Sequence, residues 1–340
     1  VGKAAAIFGC AGLSLSDEER RFFADSDPLG FILFARNLET PDQVRRLVGD
    51  LRDSIGRANA FVLIDQEGGR VARLRPPYWR AAPASSCIGE LFATDRQAGL
   101  EAARLNGRLL ADELLSLGIN VDCAPVLDLR FRDAHEIIGD RSFGACAAEV
   151  AAMGRALAVG LLAGGVLPVI KHIPGHGRAT QDSHEALPVV DTVREVLENT
   201  DFAPFRDLAD MPAAMTAHVV YSAVDSAAPA TTSPLVIEEI IRGFIGFDGL
   251  LISDDLSMSA LAGDLGVRAR SARDAGCDVV LHCNGVFEEM VAVAGACGAL
   301  SSVALDRVSR AAAVLKPPVP EENTAEQLDA LLGREHRSAG

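Results

Sequence analysis

The chain lacks most of the features that would assign a protein to a class at sight. No CxxC pair occurs among its seven cysteines, so nothing suggests a paired-cysteine metal or redox motif. The cysteines (10, 87, 123, 146, 277, 283, 297) are scattered and odd in number, and read as reduced, mostly buried thiols of a cytosolic protein. There is no basic run: 32 Lys+Arg stand against 47 Asp+Glu, for a net charge of −15. Nucleic acid and anionic membrane are therefore not expected partners. No apolar run reaches the roughly 18 residues of a transmembrane helix. The opening "VGKAAAIFGCAG" faintly suggests a lipoprotein signal, but its apolar stretch is short of the roughly 7–15 residues of a signal core. It reads better as a first strand, and the expected location is cytoplasmic. P-loop and GxGxxG patterns are also missing. The glycine clusters "GHGR" and "QEGGR" match neither and read as tight turns.

What is present is apolar material in short packets. The chain has 340 residues and is 49% apolar, ample for a large core. Eight strand candidates recur: AAAIFG (4–9), GFILFA (30–35), FVLID (61–65), NVDCAPVLD (120–128), LPVIKH (167–172), AAMTAHVV (213–220), GLLISD (249–254) and CDVVLHC (277–283). Most are continuous rather than alternating, as parallel strands covered on both faces should be. Helical stretches lie between them. Ser16 and Glu19 form a capping-box signature, and Thr40, Pro41 and Gln43 mark a second start, followed by the stripe Val44, Leu47, Val48 and Leu51. Further helices are predicted over 98–117, 145–162, 195–208, 234–242, 257–275 and 287–298, with two more at roughly 303–315 and 323–333 around the break "KPPVPEEN".

Eight strand–helix units predict an α/β fold, a (β/α)8 TIM barrel, with an open doubly wound sheet as the alternative. The barrel places chemistry at the C-terminal ends of its strands. The polar residues obey that rule. Strand three ends in Asp65, strand four in Asp128, strand five in Lys171 and His172, strand seven in Asp254 and Asp255, and strand eight in His282; strand six carries His218.

The segment "KHIPGHGRATQDSH" (171–184) admits three chemistries. His172 and His176 have zincin spacing, but Pro174 and Gly175 between them oppose the helix that a zincin needs. A phosphate loop is weakly supported. An acid/base device draws on "DSH", where Asp182 would orient His184 and raise its pKa. Opposite it, "ISDDLS" presents a carboxylate. A histidine–aspartate pair facing a lone carboxylate is what a two-step displacement requires.

These stretches resemble the exo-β-N-acetylglucosaminidases of glycoside hydrolase family 3, bacterial enzymes of peptidoglycan recycling. The resemblance rests on GFILFARN (30–37), IDQEGGRVARL (64–74), IGDRSFG (138–144), VIKHIPGHG (169–177), DSH (182–184), MTAHVVYSAVD (215–225), PATTSP (229–234), GFDGLLISDDLSM (246–258) and AGCDVVLHCNG (275–285). It covers about residues 4–315 in order and spacing. It implies the single-domain form, with a catalytic barrel over 1–315 and a partly helical tail over 316–340, because the C-terminal sandwich of many relatives has no room. It also implies roles. Asp254 matches the nucleophile, His184 the general acid/base and Asp182 the partner of that histidine. Asp65, Arg73, Arg141, Lys171 and His172 match residues that hold the terminal sugar. Asp255 matches no catalytic position and reads as a carboxylate at a helix N-terminus. His176 and His218 read as pocket-wall or structural histidines.

The implied function is retaining, exo-acting release of N-acetylglucosamine from muropeptides by a monomer without cofactor or metal. In that chemistry Asp254 forms a glycosyl ester and His184 serves both steps, its unperturbed pKa of about 6.5 lying near working pH. Three alternatives remain: a phosphorylase of the same family, a metal-dependent barrel hydrolase and a non-enzymatic sugar-binding protein.

Overall fold

The computed structural model describes residues 4–131, 136–179, 181 and 187–333. All eight expected strands are present: β1 Ala4–Phe8, β2 Pro28–Leu33, β3 Phe61–Ile64, β4 Val121–Asp122, β5 Leu167–Ile173, β6 Ala213–Thr216, β7 Leu250–Asp255 and β8 Val279–His282. Each pairs in parallel with its sequence neighbour, and β1 pairs with β8, so the sheet closes into a barrel. The open-sheet alternative is thereby excluded.

The continuous apolar runs are explained by two cores. In β1, Ala5 and Ile7 point into the barrel with Ile32, Leu63, Val121, Val169 and Ile252, while Ala4, Ala6 and Phe8 point outward under the helices. A strand buried on both faces has no polar face to alternate with. Helix Ser302–Ala313 plugs the N-terminal end of the barrel with Ala304 and Ala311, leaving the C-terminal end open. The strand expected over 120–128 is shortened because Pro125 cannot donate to the ladder, although Val126 still bridges to Lys171.

Helix starts follow the capping signals. Ser16 accepts from the Glu19 N–H, and the Glu19 carboxylate accepts from the Ser16 N–H. Thr40 caps Pro41–Ser54. Two helix expectations need correction, and one helix is additional. The stretch 195–208 is two short helices, Arg194–Asn199 and Ala203–Asp207, with Pro204 opening the second. The helix expected from 257 begins only at Leu265, where Asp264 caps it after Gly263 in left-handed conformation. Helix Ser85–Thr94 was not foreseen. All seven cysteines are free; Cys87 and Cys146 are exposed and the other five buried.

Beyond the plug helix, Arg104 pairs with Glu321, Arg108 donates to the Val319 carbonyl, and helix Thr324–Leu331 lies against helix Arg96–Ser116. Among the described residues no helix is long and apolar enough to cross a membrane.

Candidate active site

The open end of the barrel holds a cavity of about 230 Å³, at or below the lower end of the roughly 300–1,000 Å³ usual for pockets that enclose drug-sized ligands. Its wall includes Asp65, Arg73, Arg141, Lys171, His172 and Asp254. Six of the eight site residues expected from sequence thus meet at one place. The other two, Asp182 and His184, lie outside the described residues.

The floor is an ion network. Lys171 is 2% exposed, and its Nζ lies 2.8 Å from Asp65 Oδ1 and 2.7 Å from Glu67 Oε1. Arg141 grips Glu67 with two bonds of 2.8 Å each, from Nε and Nη2. Arg73 Nη2 donates to Asp65 Oδ2 at 2.8 Å, and its guanidinium sits over the Phe34 ring at 4.9 Å. Asp65 and Glu67 stand two residues apart in extended chain, which puts both carboxylates on one side. Burial pushes both up, but Lys171 with Arg73 holds Asp65, and Arg141 with Lys171 holds Glu67, below the usual carboxylate range. Burial disfavours the Lys171 ammonium, yet Asp65 and Glu67 more than offset this and raise its pKa.

Local sequence builds this network. After Asp65 the chain makes a small antiparallel hairpin, Gln66–Gly68 with Val71–Ala72. Gly68 has φ of +100°, and a Cβ there would meet the Pro83 carbonyl oxygen at 2.2 Å. Only glycine fits this turn. The Gln66 side chain accepts from the Arg73 and Leu74 N–H groups and donates to the Leu74 carbonyl, fixing where Arg73 starts. Arg70 donates to Asp140 and to the carbonyls of Glu136 and Ile137, tying the hairpin to the segment that carries Arg141.

Lys171 and His172 both reach the pocket although they are consecutive. The register of β5 against β6 shifts between Lys171 and Ile173, and such an irregularity re-aims a side chain. The Asp128 carboxylate then fixes the histidines. Its Oδ2 lies 2.6 Å from His172 Nδ1, and its Oδ1 accepts from the His176 N–H at 2.6 Å. Burial and the neighbouring His172 push the His176 pKa down to about 4, so its ring is neutral at pH 7.

Asp254 closes the pocket from β7, where the register against β8 also shifts, between Ile252 and Asp255. Its Oδ1 accepts from the Asp255 N–H at 2.8 Å. Burial raises its pKa, but His218, His172, that N–H and Lys171 outweigh it, and the net shift is downward. Asp254 is an anion at neutral pH. Its neighbour corrects an expectation: Asp255 is not at a helix N-terminus. Its carboxylate accepts from the Ser257 and Cys283 N–H groups, each at 3.1 Å, and pins β7 to β8.

The glycines of "PGHG" are closely packed against backbone. A Cβ on Gly177 would meet the Leu129 carbonyl oxygen at 2.2 Å, and one on Gly175 the Asp201 carbonyl oxygen at 2.8 Å. Tyr221 donates to the Gly175 carbonyl, and Arg178 pairs with Asp201 at 2.7 Å while covering the Phe131 ring. These glycines permit close packing at a fixed root.

A buried carboxylate–cation network beside an ionised aspartate, at the open end of a parallel barrel, suits recognition of a small polyhydroxylated ligand and attack on it. The Glycosyl hydrolase family 3 N terminal domain matches residues 8–315 of the chain. The chain belongs to glycoside hydrolase family 3. A β-hexosaminidase of Alkalilimnicola ehrlichii is 41% identical over 282 residues, covering 82% of this chain and 80% of the relative. One from Chromobacterium violaceum is 38% identical over 328 residues, covering 95% and 85%. Among solved structures, NagZ from Neisseria gonorrhoeae in complex with N-trifluoroacetyl-D-glucosamine superposes with a TM-score of 0.87 at 32% identity, covering 98% of both chains. The protein is therefore a glycoside hydrolase, of the β-hexosaminidase kind.

Sequence reasoning missed one residue of this hydrolase's pocket, Glu67, and one buried behind it, Asp128. Glu67 was passed over inside "DQEGG", although the i, i+2 spacing from Asp65 signals a shared face. Asp128 was placed at a strand end without a role, because only the fold shows that it faces His172. Among the described residues no three His, Cys, Asp or Glu side chains converge as metal ligands.

Proposed function

We propose that the protein is a retaining exo-β-N-acetylglucosaminidase that removes the terminal N-acetylglucosamine of muropeptides in peptidoglycan recycling, its substrate being N-acetylglucosamine linked β-1,4 to anhydro-N-acetylmuramic acid with or without peptide. The observation that carries the reading is Asp254. It is ionised, it lines the same cavity as the Asp65–Lys171–Glu67–Arg141 network, and one of its oxygens is held by the Asp255 N–H. Its other oxygen attacks the anomeric carbon while the bond to the leaving oxygen breaks and His184 protonates that oxygen. Water then attacks the glycosyl ester, His184 takes its proton, and Asp254 is released. Asp182 orients His184. Asp65, Arg73, Arg141, Lys171 and His172 hold the sugar hydroxyls, and the closed floor beyond them restricts attack to a chain end.

The test compares leaving groups. General acid catalysis contributes roughly 10²–10⁴-fold. His184→Ala should lower turnover of the natural disaccharide by about that factor and glycosylation by a dinitrophenyl β-N-acetylglucosaminide far less, with azide rescuing the second step. Equal losses on both substrates would remove His184 from the acid/base role. Formation of sugar 1-phosphate only when phosphate is supplied would identify a phosphorylase instead.

A further inference from the structure

From sequence His218 reads as a pocket-wall or structural histidine. Its surroundings give it a task. The ring is fully buried after β6, and Nε2 lies 2.9 Å from the Asp255 carbonyl oxygen. A carbonyl oxygen only accepts, so Nε2 carries a proton whatever the charge of the ring. Nδ1 lies 2.7 Å from Thr231 Oγ1, which also meets Thr216 Oγ1 at 2.8 Å and the Ala217 carbonyl at 3.1 Å. Thr216 Oγ1 in turn accepts from the Asp254 N–H at 3.3 Å.

The bonds therefore form a loop around one residue, Asp255, whose N–H and carbonyl lie in successive peptide units. His218 holds the carbonyl of Asp255, and the N–H of Asp255 holds Oδ1 of Asp254. The Asp254 N–H returns through Thr216 and Thr231 to the other side of the same imidazole. Asp254 sits where the β7–β8 register is broken, so the regular ladder does not orient it. Resting on the reading of Asp254 as nucleophile, we propose that His218 is a positioning residue that orients the nucleophile by clamping the Asp255 backbone, with Thr231 holding the ring. Asp254 Oδ1 is thereby committed to a backbone N–H, and Oδ2 is the atom left for attack.

The experiment measures the glycosylation rate constant of the intact enzyme by stopped flow, with a dinitrophenyl and a poorer aryl β-N-acetylglucosaminide, alongside inhibition by free N-acetylglucosamine. His218→Asn keeps a group near Nδ1 but leaves the Asp255 carbonyl without its donor. A buried carbonyl losing its partner corresponds to about 10–100-fold in rate. The expected result is a slowing of that size on both leaving groups, with inhibitor binding unchanged within about threefold. His218→Gln places an amide N–H near the Nε2 position and should recover most of the rate. Thr231→Val, nearly isosteric, should slow glycosylation in the same way but less. Near-wild-type rates in His218→Asn, equal losses in the Asn and Gln variants, or a parallel loss of inhibitor binding would overturn the proposal. If His218→Asn does not fold, an unchanged rate in Thr231→Val overturns it and a slowed rate with intact binding supports it. Asp254→Asn separates the two ideas. If that variant still turns over, the nucleophile assignment fails; if it is inactive while His218→Asn is unimpaired, only the clamp fails.

Discussion

Replacing Glu67 with glutamine tests the ion network with minimal change of shape. Glu67 is 3% exposed and accepts three charge-assisted bonds, two from Arg141 and one from Lys171. A glutamine oxygen at the Oε1 position can still accept from Lys171 and from Arg141 Nη2, but without the carboxylate charge, and its NH₂ then points at the Arg141 Nε–H. Removing one partner from a buried ion pair costs about 3–5 kcal/mol, since the remaining charge is left without compensation. Here two cations lose part of their partner, and water cannot replace it. At roughly 2–4 °C per kcal/mol for domains somewhat smaller than this one, the melting temperature should fall by about 5–15 °C. The activity effect is separate. Lys171 and Arg141 are aimed into the pocket by Glu67, so kcat/KM on a nitrophenyl β-N-acetylglucosaminide should fall by about 10²-fold, equivalent to about 3 kcal/mol. Inhibition by free N-acetylglucosamine should weaken with it, because the loss is in sugar binding. A Glu67→Gln enzyme within threefold of wild type in kcat/KM, and with an unchanged melting temperature, would refute the view that this carboxylate organises the site.

Other outcomes follow from the same geometry. Asp254→Asn should nearly abolish turnover, and a slow fluorinated substrate should label Asp254 of the wild type; peptide mapping would show a label elsewhere if the assignment is wrong. Activity should survive exhaustive chelation, and loss of activity together with a stoichiometric metal would oppose this. Gly177→Ala should destabilise the fold by about 1–3 kcal/mol or more, because its Cβ would meet backbone at Leu129 rather than a movable side chain, and thermal melting reads this directly. His176 should give acid sensitivity: its folded pKa of about 4 lies below the 6.5 of the free side chain, so between those values the unfolded chain binds the extra proton. Stability is then complete above pH 6.5 and falls by about 3 kcal/mol as pH drops toward 4, and urea titrations should show a shallower fall in His176→Gln. The depressed Asp65 and Glu67 add a later loss: their contribution is intact above their unfolded values of 3.8 and 4.5 and disappears as pH falls through their lower folded values.

The covered parallel sheet and the place of its chemistry were legible in the chain itself. Runs such as "FVLI" and "LPVIKHI" are apolar on both faces, and only a covered parallel sheet accommodates eight of them; the polar residues at their C-terminal ends then mark the open mouth. Local chemistry also set the helix starts at Ser16 and Thr40, because a cap is a bond between residues three apart. What sequence could not decide were relations between distant residues. Asp128 and His172 are 44 positions apart, and Glu67 and Arg141 are 74 apart. Their pairing depends on β3, β4 and β5 lying side by side. The same dependence inverted one reading. Asp255 looked like a helix-start carboxylate until the register of β7 against β8 placed the Cys283 N–H beside it. The close approach of Leu129 and Asp201 to the "PGHG" glycines is likewise set by the fold. Periodicity and caps are properties of neighbours along the chain, so the sequence by itself determined a covered parallel α/β sheet and its chemical end, while the pairing of β1 with β8 decided that it closes into a barrel. Charge pairing, pKa and close packing are properties of neighbours in space, and only the tertiary structure decided which carboxylate holds which cation and which peptide holds Asp254.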